Sequence, residues 1–323
     1  MTTADFLKAI NQEIANTTYG QTPVELYQPI EYLMDLGGKR MRPLLTVMAA
    51  SMFTEHWQQA FRPAIGVEVF HNFTLMHDDI MDKAPLRRGK PTVHAKWNDN
   101  IAILSGDVML VCAYELMLDV EDSKLKNVLR RFNRTAAEVC EGQQFDMNFE
   151  NLEEVSTEAY IQMIKLKTAV LLGFALELGG IIGGADHATC EHLNEIGICI
   201  GLGFQIKDDI LDVYADPDKF GKQVGGDIMA NKKTLMLIEA KRQASGSQKT
   251  DLEKWLLAKD FDPTEKVKAV TEIYNQLNIK QQAEVLMNEY FDNAFAHIEL
   301  LNASESSKAV LRDFATWLID RES

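Results

Sequence analysis

Apolar residues recur at the i, i+3, i+4 spacing of helices along most of the chain, and stretches that alternate like half-buried strands are scarce. The segment between Pro91 and Pro217 contains no proline, a residue that interrupts helices. Glycines fall mainly at positions that suit helix junctions: Gly37-Gly38, Gly89, Gly179-Gly180, Gly183-Gly184 and Gly225-Gly226. The pattern predicts an all-α protein built from a succession of helices.

The domain organisation follows from what the chain lacks. No Ser/Pro-rich linker, low-complexity tract or strict repeat divides it, and the C-terminal third is helical in pattern but poor in motifs. We therefore expect residues 1–323 to form a single large helical domain.

Composition narrows the function. The chain has 323 residues, of which 46% are hydrophobic, and a formal net charge of −15, which disfavours nucleic acids and anionic membranes as partners. The four cysteines have no metal-ligand spacing and suit a reducing compartment. The N-terminal residues lack a signal-peptide core, and Glu177 interrupts the longest apolar stretch. We expect a cytoplasmic protein without stable membrane insertion.

Two aspartate-rich motifs carry the candidate chemistry. Asp78–Asp82 (DDIMD) and Asp208–Asp212 (DDILD) each place aspartates at i, i+1 and i+4. On a helix the first and last aspartates of each motif share a face and repel each other unless a cation lies between them. Oxygen-only ligands suit Mg2+, which takes water and substrate phosphates as its remaining ligands.

Two simpler interpretations of these motifs are surface charge and a calcium-binding loop. Aspartates on helices are often solvated surface charge, but the segments before both motifs are largely apolar, and bare carboxylates beside a core are costly. A calcium loop is excluded because the motifs lack its alternating ligand spacing and central glycine.

Cationic residues accompany the motifs at several places. Gly37–Pro43 (GGKRMRP) supplies three cations after a glycine turn, and Arg87–Lys90 (RRGK) follows the first motif. Lys167-Thr168 lies within an apolar helix, where a lysine needs an anion. Lys222 lies in a Gly/Asp-rich loop, and Lys232 follows it. Arginine and lysine in this number would suit binding of a diphosphate.

In their order and spacing these motifs resemble the trans-isoprenyl diphosphate synthases, over about Tyr32 to Leu237. The resemblance implies a helical bundle of the isoprenoid synthase type around a deep central cavity, and a homodimer. It implies Mg2+-dependent head-to-tail (1'-4) condensation of isopentenyl diphosphate with dimethylallyl, geranyl or farnesyl diphosphate, with three Mg2+ ions in each active site.

The resemblance also implies roles for individual residues. Asp78, Asp82 and Asp208 would hold Mg2+, with Asp212 and Asp209 nearby as further candidates. Isopentenyl diphosphate would be bound by Lys39, Arg42, His71 and Arg88. The allylic diphosphate would be contacted by Arg87, Lys167, Thr168, Gln205, Lys222 and Lys232, of which Lys167, Thr168 and Gln205 would also assist catalysis, alongside Asp78, Asp82 and Asp208.

Product length is expected to depend on the helix before the first motif. Phe73 and Thr74 precede Asp78 by five and four residues, about one turn below the metals at 1.5 Å per residue. A single aromatic residue at the position of Phe73, without an inserted pair in the motif, resembles the pattern of the C20 synthases of this family. We therefore favour geranylgeranyl diphosphate as product, with farnesyl diphosphate second.

Three alternatives stay open at this point. A terpene cyclase shares an aspartate-rich site but needs no isopentenyl diphosphate pocket, so Lys39, Arg42 and Arg88 argue against it. A non-catalytic partner subunit would be expected to lose motif residues, and none is missing. A purely structural acidic helical protein leaves the cationic motifs unexplained.

Overall fold

A computed structural model describes residues 2–215 and 224–320 of the chain. The helices in chain order are α1 (Thr3–Asn16), α2 (Val24–Asp35), α3 (Met41–Ser51), α4 (Phe61–Met81), α5 (Val93–Lys96), α6 (Asp99–Met117), α7 (Asp122–Glu150), α8 (Thr157–Ile164), α9 (Val170–Gly183), α10 (His187–Tyr214), α11 (Gly226–Met229), α12 (Leu235–Gln243), α13 (Gly246–Leu257), α14 (Pro263–Gln276), α15 (Ile279–Glu299) and α16 (Glu305–Asp320). A 3-10 turn occupies Trp57–Ala60, and a π-helical segment, Lys165–Ala169, joins α8 to α9. The predicted all-α class is confirmed.

The strands that the described ranges contain form one small hairpin. Strand β1 (Leu86–Arg87) pairs antiparallel with β2 (Lys90–Pro91). Arg88 and Gly89 make the turn, both at positive φ. The hairpin follows the first aspartate motif and carries Arg87 and Arg88. It therefore determines the position of two candidate diphosphate-binding residues.

Contacts divide the chain into two compact units. Unit 1 comprises Met1–Asn133, Phe174–Asn194 and Leu301–Val310. Unit 2 comprises Arg134–Gly173, Glu195–Leu300 and Leu311–Ser323. The expectation of one domain over residues 1–323 stays a prediction.

In unit 1, helix α4 is the central element. It packs mainly against α6 and also against α3 and α2. Its buried residues lie all round the helix, including Val67, Phe70 and Met76. This pattern is typical of a core helix rather than an amphipathic surface helix, and it anchors the first aspartate motif at the helix end.

In unit 2, the C-terminal part of the chain builds a second core. Helix α12 packs against α8, α14 and α15, and α14 also contacts α11 and α13. Phe291 and Tyr274 are among the largest fully buried side chains there. This core supports the end of α10, which carries the second aspartate motif.

One glycine prediction is wrong. Gly179-Gly180 does not end a helix, because α9 continues to Gly183. A Cβ at Gly179 would lie 2.2 Å from the carbonyl oxygen of Thr46 on α3. The residue is needed for close helix packing within unit 1, a requirement that local sequence does not reveal.

Within residues 2–215 and 224–320, two helical stretches are long and apolar enough to cross a membrane by length and composition alone. In Thr157–Gly183 the most apolar window is 83% buried, as in the core helix of a folded protein. In Asp99–Met117 the corresponding window is 39% buried. Helix α6 therefore keeps three large apolar side chains, Ile103, Leu104 and Val111, that the described chain leaves exposed.

Candidate active site

The first aspartate motif closes helix α4, whose C-cap is Asp82. The amide of Asp82 donates to the carbonyl of Asp78 at 2.8 Å, so the helical turn continues through the motif. Asp78 is half-buried and Asp82 is exposed, whereas Asp79 between them is buried. The i, i+4 pair therefore lies at an accessible helix end, as its spacing predicts.

Asp79 has a different role from its neighbours. Its carboxylate accepts from Nε of Arg87 at 3.0 and 2.9 Å and from Nη2 at 2.7 Å. This is a bidentate ion pair with the carboxylate almost fully buried. Asp79 thus fixes the hairpin to the end of α4, and Arg87 keeps only its remaining donors for a substrate.

The cationic loop before α3 meets the hairpin. Arg88 donates from Nη1 to the carbonyl of Gly37. Gly38 has φ of 135°, and a Cβ there would lie 2.9 Å from Nη2 of Arg88. A residue with a Cβ would be strained at this φ, and it would also displace the guanidinium of Arg88. The exposed Lys39 follows directly, which brings it to the same edge of unit 1.

His71, on α4, is surrounded by positive charge. Burial, followed by the guanidiniums of Arg42 and Arg88, holds the pKa of His71 well below its usual value. Burial also lowers the pKa of Arg42 to about 10 and lowers that of Arg88, with Glu68 acting against it in both. His71 is therefore neutral at pH 7 and contributes hydrogen bonding rather than charge.

The second aspartate motif divides its roles in the same way as the first. Asp209 is buried and accepts from the hydroxyl of Tyr160 at 2.5 Å, Nε2 of Gln205 at 3.2 Å and the amide of Leu235 at 3.3 Å. Burial, with the nearby carboxylate of Asp227, raises the pKa of Asp209 to about 7. The middle aspartate is thus an internal anchor of unit 2.

The outer aspartates of this motif are more open. Asp208 and Asp212 are both half-buried. One oxygen of Asp212 accepts from the amide of Asp227 at 3.0 Å, and its carbonyl accepts from Gly225 at 2.6 Å. Asp212 therefore holds the start of α11 with one carboxylate oxygen.

Lys167 has the anion that its apolar surroundings require. Its Nζ lies 2.6 Å from Oδ2 of Asp146 on α7. Lys167 and the half-buried Thr168 belong to the π-helical segment, where a widened turn alters the direction of both side chains. Helix α7 reaches this segment at Gly142, where a Cβ would lie 2.2 Å from the amide nitrogen of Lys167.

The profile of the polyprenyl synthetase family matches residues 23–275. The chain belongs to the polyprenyl synthetase family. A crystal structure of a geranylgeranyl pyrophosphate synthase is 43% identical, with a TM-score of 0.95 and 100% of both chains covered. The geranylgeranyl diphosphate synthase of Methanosarcina mazei is 42% identical over 220 residues, 68% of each chain. A geranylfarnesyl diphosphate synthase of Natronomonas pharaonis is 34% identical over 347 aligned residues, 99% of both.

Membership of the polyprenyl synthetase family makes the protein a prenyltransferase and confirms the isoprenoid synthase type of fold. The residues singled out from the sequence fall in both units. Unit 1 carries Lys39, Arg42, His71, Phe73, Thr74, Asp78, Asp82, Arg87 and Arg88. Unit 2 carries Lys167, Thr168, Gln205, Asp208, Asp212 and Lys232. Lys222 lies outside the described residues.

The outer aspartates have the chemistry that Mg2+ prefers. The outer aspartates of each motif offer hard carboxylate oxygens near a helix end, and each middle aspartate accepts hydrogen bonds from protein donors. In residues 2–215 and 224–320, no three His, Cys, Asp or Glu side chains gather into a complete metal cage. Open two-carboxylate sites fit an ion that completes its shell with water and substrate phosphate.

Below the first motif of this polyprenyl synthetase lies a column of aromatic rings within unit 1. The half-buried Phe73 contacts His77 at 4.8 Å and Phe70 at 5.6 Å between ring centroids. Phe70 in turn packs edge-on against Phe132 on α7 at 5.2 Å. Thr74 turns its hydroxyl back to the carbonyl of His71 at 2.8 Å. Phe73 is thus the end of a rigid stack rather than an isolated ring.

Several residues of the site were missed from the sequence. Asp146, Tyr160, Asp227 and Glu68 each contact or lie near a predicted residue, but none belongs to a short motif that singles it out. Tyr160 precedes Lys167 by seven residues, two helical turns, and that spacing is the one local sign that they share a side.

Proposed function

We propose that the protein condenses isopentenyl diphosphate head-to-tail (1'-4) with allylic diphosphates and releases all-trans geranylgeranyl diphosphate, with farnesyl diphosphate as the second candidate. The grouping of Arg42, His71 and Arg88 beside the first aspartate motif carries this proposal, because it supplies a second diphosphate site that ionisation alone does not need. Two of the similar proteins are named geranylgeranyl diphosphate or pyrophosphate synthases, which agrees with this reaction and product.

Isopentenyl diphosphate would be held by the cations of unit 1. Nε of Arg42 is buried and finds no acceptor among the described residues, so a bound anion would give it one. Arg88 and the exposed Lys39 add positive charge, and the neutral His71 adds a hydrogen bond. This arrangement supports binding of the substrate's diphosphate with its hydrocarbon free to react.

The allylic diphosphate would meet the aspartate motifs. Asp78, Asp82, Asp208 and Asp212 would hold three Mg2+ ions, which supply the positive charge that stabilises the departing diphosphate. Arg87, Lys167 and Lys232 would add donors from the protein, with Lys222 from the loop outside the described residues. Since Arg87 and Lys167 already bind Asp79 and Asp146, they offer oriented rather than freely moving donors.

The reaction steps follow from these positions. The C–O bond of the allylic diphosphate breaks, and its electron pair leaves with the diphosphate. Thr168 and Gln205 would face the resulting cation with their dipoles, and apolar walls would exclude water. The double bond of isopentenyl diphosphate attacks, and loss of a proton to the released diphosphate completes the product.

One assay tests the reaction. The protein is incubated with Mg2+, labelled isopentenyl diphosphate and, separately, dimethylallyl, geranyl or farnesyl diphosphate, and product length is measured. We expect elongation with C20 as the main end product. Cyclised hydrocarbon without uptake of label would instead support a terpene cyclase. No turnover with any primer would support a non-catalytic partner subunit.

Phe73→Ala tests the floor of the cavity. Removing this ring should lengthen the main product by at least one C5 unit, because the space one turn below the motif opens. Chromatography of the products measures the change. Tyr290→Phe is the matched control, since it alters an aromatic residue far along the chain in unit 2. An unchanged product distribution in the Phe73 variant would remove Phe73 as the determinant.

We also propose that the protein is a cytoplasmic homodimer that meets its partner through α6. The exposed side chains of Leu104 and Val111 on that helix and of Leu118 at its C-cap recur at seven-residue intervals. A stripe of this kind is typical of a helix covered by another helix. Sedimentation equilibrium should give twice the chain mass, and Val111→Glu should shift the protein toward monomer. A monomeric wild-type protein would contradict this assembly.

A further inference from the structure

A buried ion pair lies behind the cationic loop and outside the predicted set of ligands. Nη1 of Arg40 lies 2.8 Å from Oε1 of Glu68, with the two side chains 4% and 3% exposed. Arg40 stands between Lys39 and Arg42 in the sequence, yet its guanidinium is turned into the protein. A buried pair of this kind rarely adds stability over apolar residues of similar volume, so stability alone does not account for it.

On the loop side, Arg40 connects three elements of unit 1. It is the N-cap of α3 and has φ of 47°, a left-handed conformation that costs energy for a residue with a Cβ. Its Nη2 donates to the carbonyl of Met34 in the last turn of α2, while Nη1 reaches Glu68 on α4. One guanidinium fork therefore fixes the loop to both helices.

On the helix side, Glu68 is held in turn by Asn72. The amide of Asn72 donates to the backbone carbonyl of Glu68 at 2.8 Å and approaches Oε1 at 3.4 Å. Glu68 lies three residues before His71 and ten before Asp78 on the same helix. The pair thus joins the loop that carries Lys39 to the helix that carries His71 and the first motif.

The charge of Glu68 also acts on the pocket. Its carboxylate raises the pKa of Arg42 and Arg88, opposing the effect of burial on both. Arg40 alone would instead add a third guanidinium that repels Arg88. The carboxylate of Glu68 thus offsets the charge of Arg40, so Arg42 and Arg88 are the guanidiniums of this group that remain for an anion.

We propose that Arg40 and Glu68 are positioning residues that set the isopentenyl diphosphate site by fixing the loop of Lys39 and Arg42 to α4. The inference rests on the proposed condensation, because it assigns these residues to one of its two substrates. It goes beyond that reaction in naming side chains that touch neither substrate.

The test is Glu68→Gln, which keeps the shape and removes the charge. We expect the KM for isopentenyl diphosphate to rise about tenfold, because small displacements of positioned groups are costly. The KM for the allylic primer should stay within about twofold of wild type, because the pair contacts no group of the aspartate motifs. The surface pair Arg62–Asp119, about half exposed, provides the matched control in Asp119→Asn.

A second variant separates positioning from folding. In the double variant Arg40→Met/Glu68→Met the buried charges are gone, so stability should recover relative to Glu68→Gln. The raised KM for isopentenyl diphosphate should persist, because the ion pair that joins the loop to α4 is still absent. Recovery of that KM together with the melting temperature would overturn the proposal, as would equal rises in both KM values.

The outcome is distinguishable from failure of the proposed reaction. A wild-type protein that elongates no primer removes the condensation itself. An active wild type with an unchanged KM for isopentenyl diphosphate in both Arg40 and Glu68 variants removes only the positioning role.

Discussion

Asp78→Asn should lower the rate of condensation by about a thousandfold or more, since charge stabilisation of the leaving group depends on the site it builds. The substitution keeps the size of the side chain and removes the charge that, on the proposed assignment, would bind Mg2+ together with Asp82. An amide oxygen is a weak substitute for a carboxylate toward Mg2+. We therefore expect excess Mg2+ to restore little of the lost rate.

Although the rate of Asp78→Asn should fall, its stability without Mg2+ should stay the same or increase. Asp78 and Asp82 repel each other across one turn when no cation is bound, so removing one charge relieves this repulsion. The melting temperature without Mg2+ should equal or exceed that of wild type. Stabilisation on adding Mg2+, which wild type should show by mass action, should shrink.

The neighbouring aspartate offers a sharp comparison. Asp79→Asn breaks the bidentate pair with Arg87 and leaves a charge beside the core, so it should lower the melting temperature. Adjacent substitutions in one motif thus separate metal binding from anchoring. Asp251→Asn, exposed on α13, is the control for loss of one negative charge. A nearly active Asp78→Asn enzyme would contradict the assignment of the motif to Mg2+.

The spacing within each motif was predictable because it is local. Asp78 and Asp82 share a side of α4 by helix geometry alone, and the apolar segment before them predicts a core helix. The all-α class followed for the same reason. Helix spacing separates the middle aspartate from the outer two, but it does not name the partner that anchors it: Arg87 on the following hairpin for Asp79, and Tyr160, 49 residues earlier, for Asp209.

Lys167 shows how far a sequence argument can reach. Its apolar setting predicts an anionic partner, and the family resemblance separately implies contact with the allylic diphosphate, which stays a prediction. The structure supplies Asp146, a residue 21 positions earlier on another helix. The requirement came from elementary solvation, but the partner depends on how α7 packs. The wrong prediction at Gly179 also concerns a neighbour distant in sequence, because the carbonyl oxygen of Thr46 that requires a glycine there belongs to α3.

Gly142→Ala should damage the enzyme through the contact between α7 and the π-helical segment. The added Cβ would lie 2.2 Å from the nitrogen and 2.6 Å from the Cα of Lys167. These are backbone atoms, so no side chain can turn away to make room. Overpacking of this kind costs about 3 kcal/mol, and the melting temperature should fall by several degrees.

The effect on catalysis should exceed the effect on folding. Shifting the segment moves Lys167 and Thr168 together and strains the ion pair with Asp146, so kcat should fall about a hundredfold. The KM for isopentenyl diphosphate should change little, because its proposed ligands belong to unit 1. Steady-state kinetics with each substrate varied in turn separates the two.

A second glycine-to-alanine substitution, at a position without close neighbours, provides the control. Gly246→Ala adds a Cβ at a position where nothing lies within 4 Å, at a φ of 53° that costs about 1 kcal/mol by itself. We expect that variant to lose some stability and no activity. An unchanged kcat in Gly142→Ala would contradict the prediction. It would show that α7 can shift away without displacing Lys167, so that the π-helical segment does not depend on this contact. A selective loss of kcat would instead make the close approach at Gly142 a condition for placing both side chains.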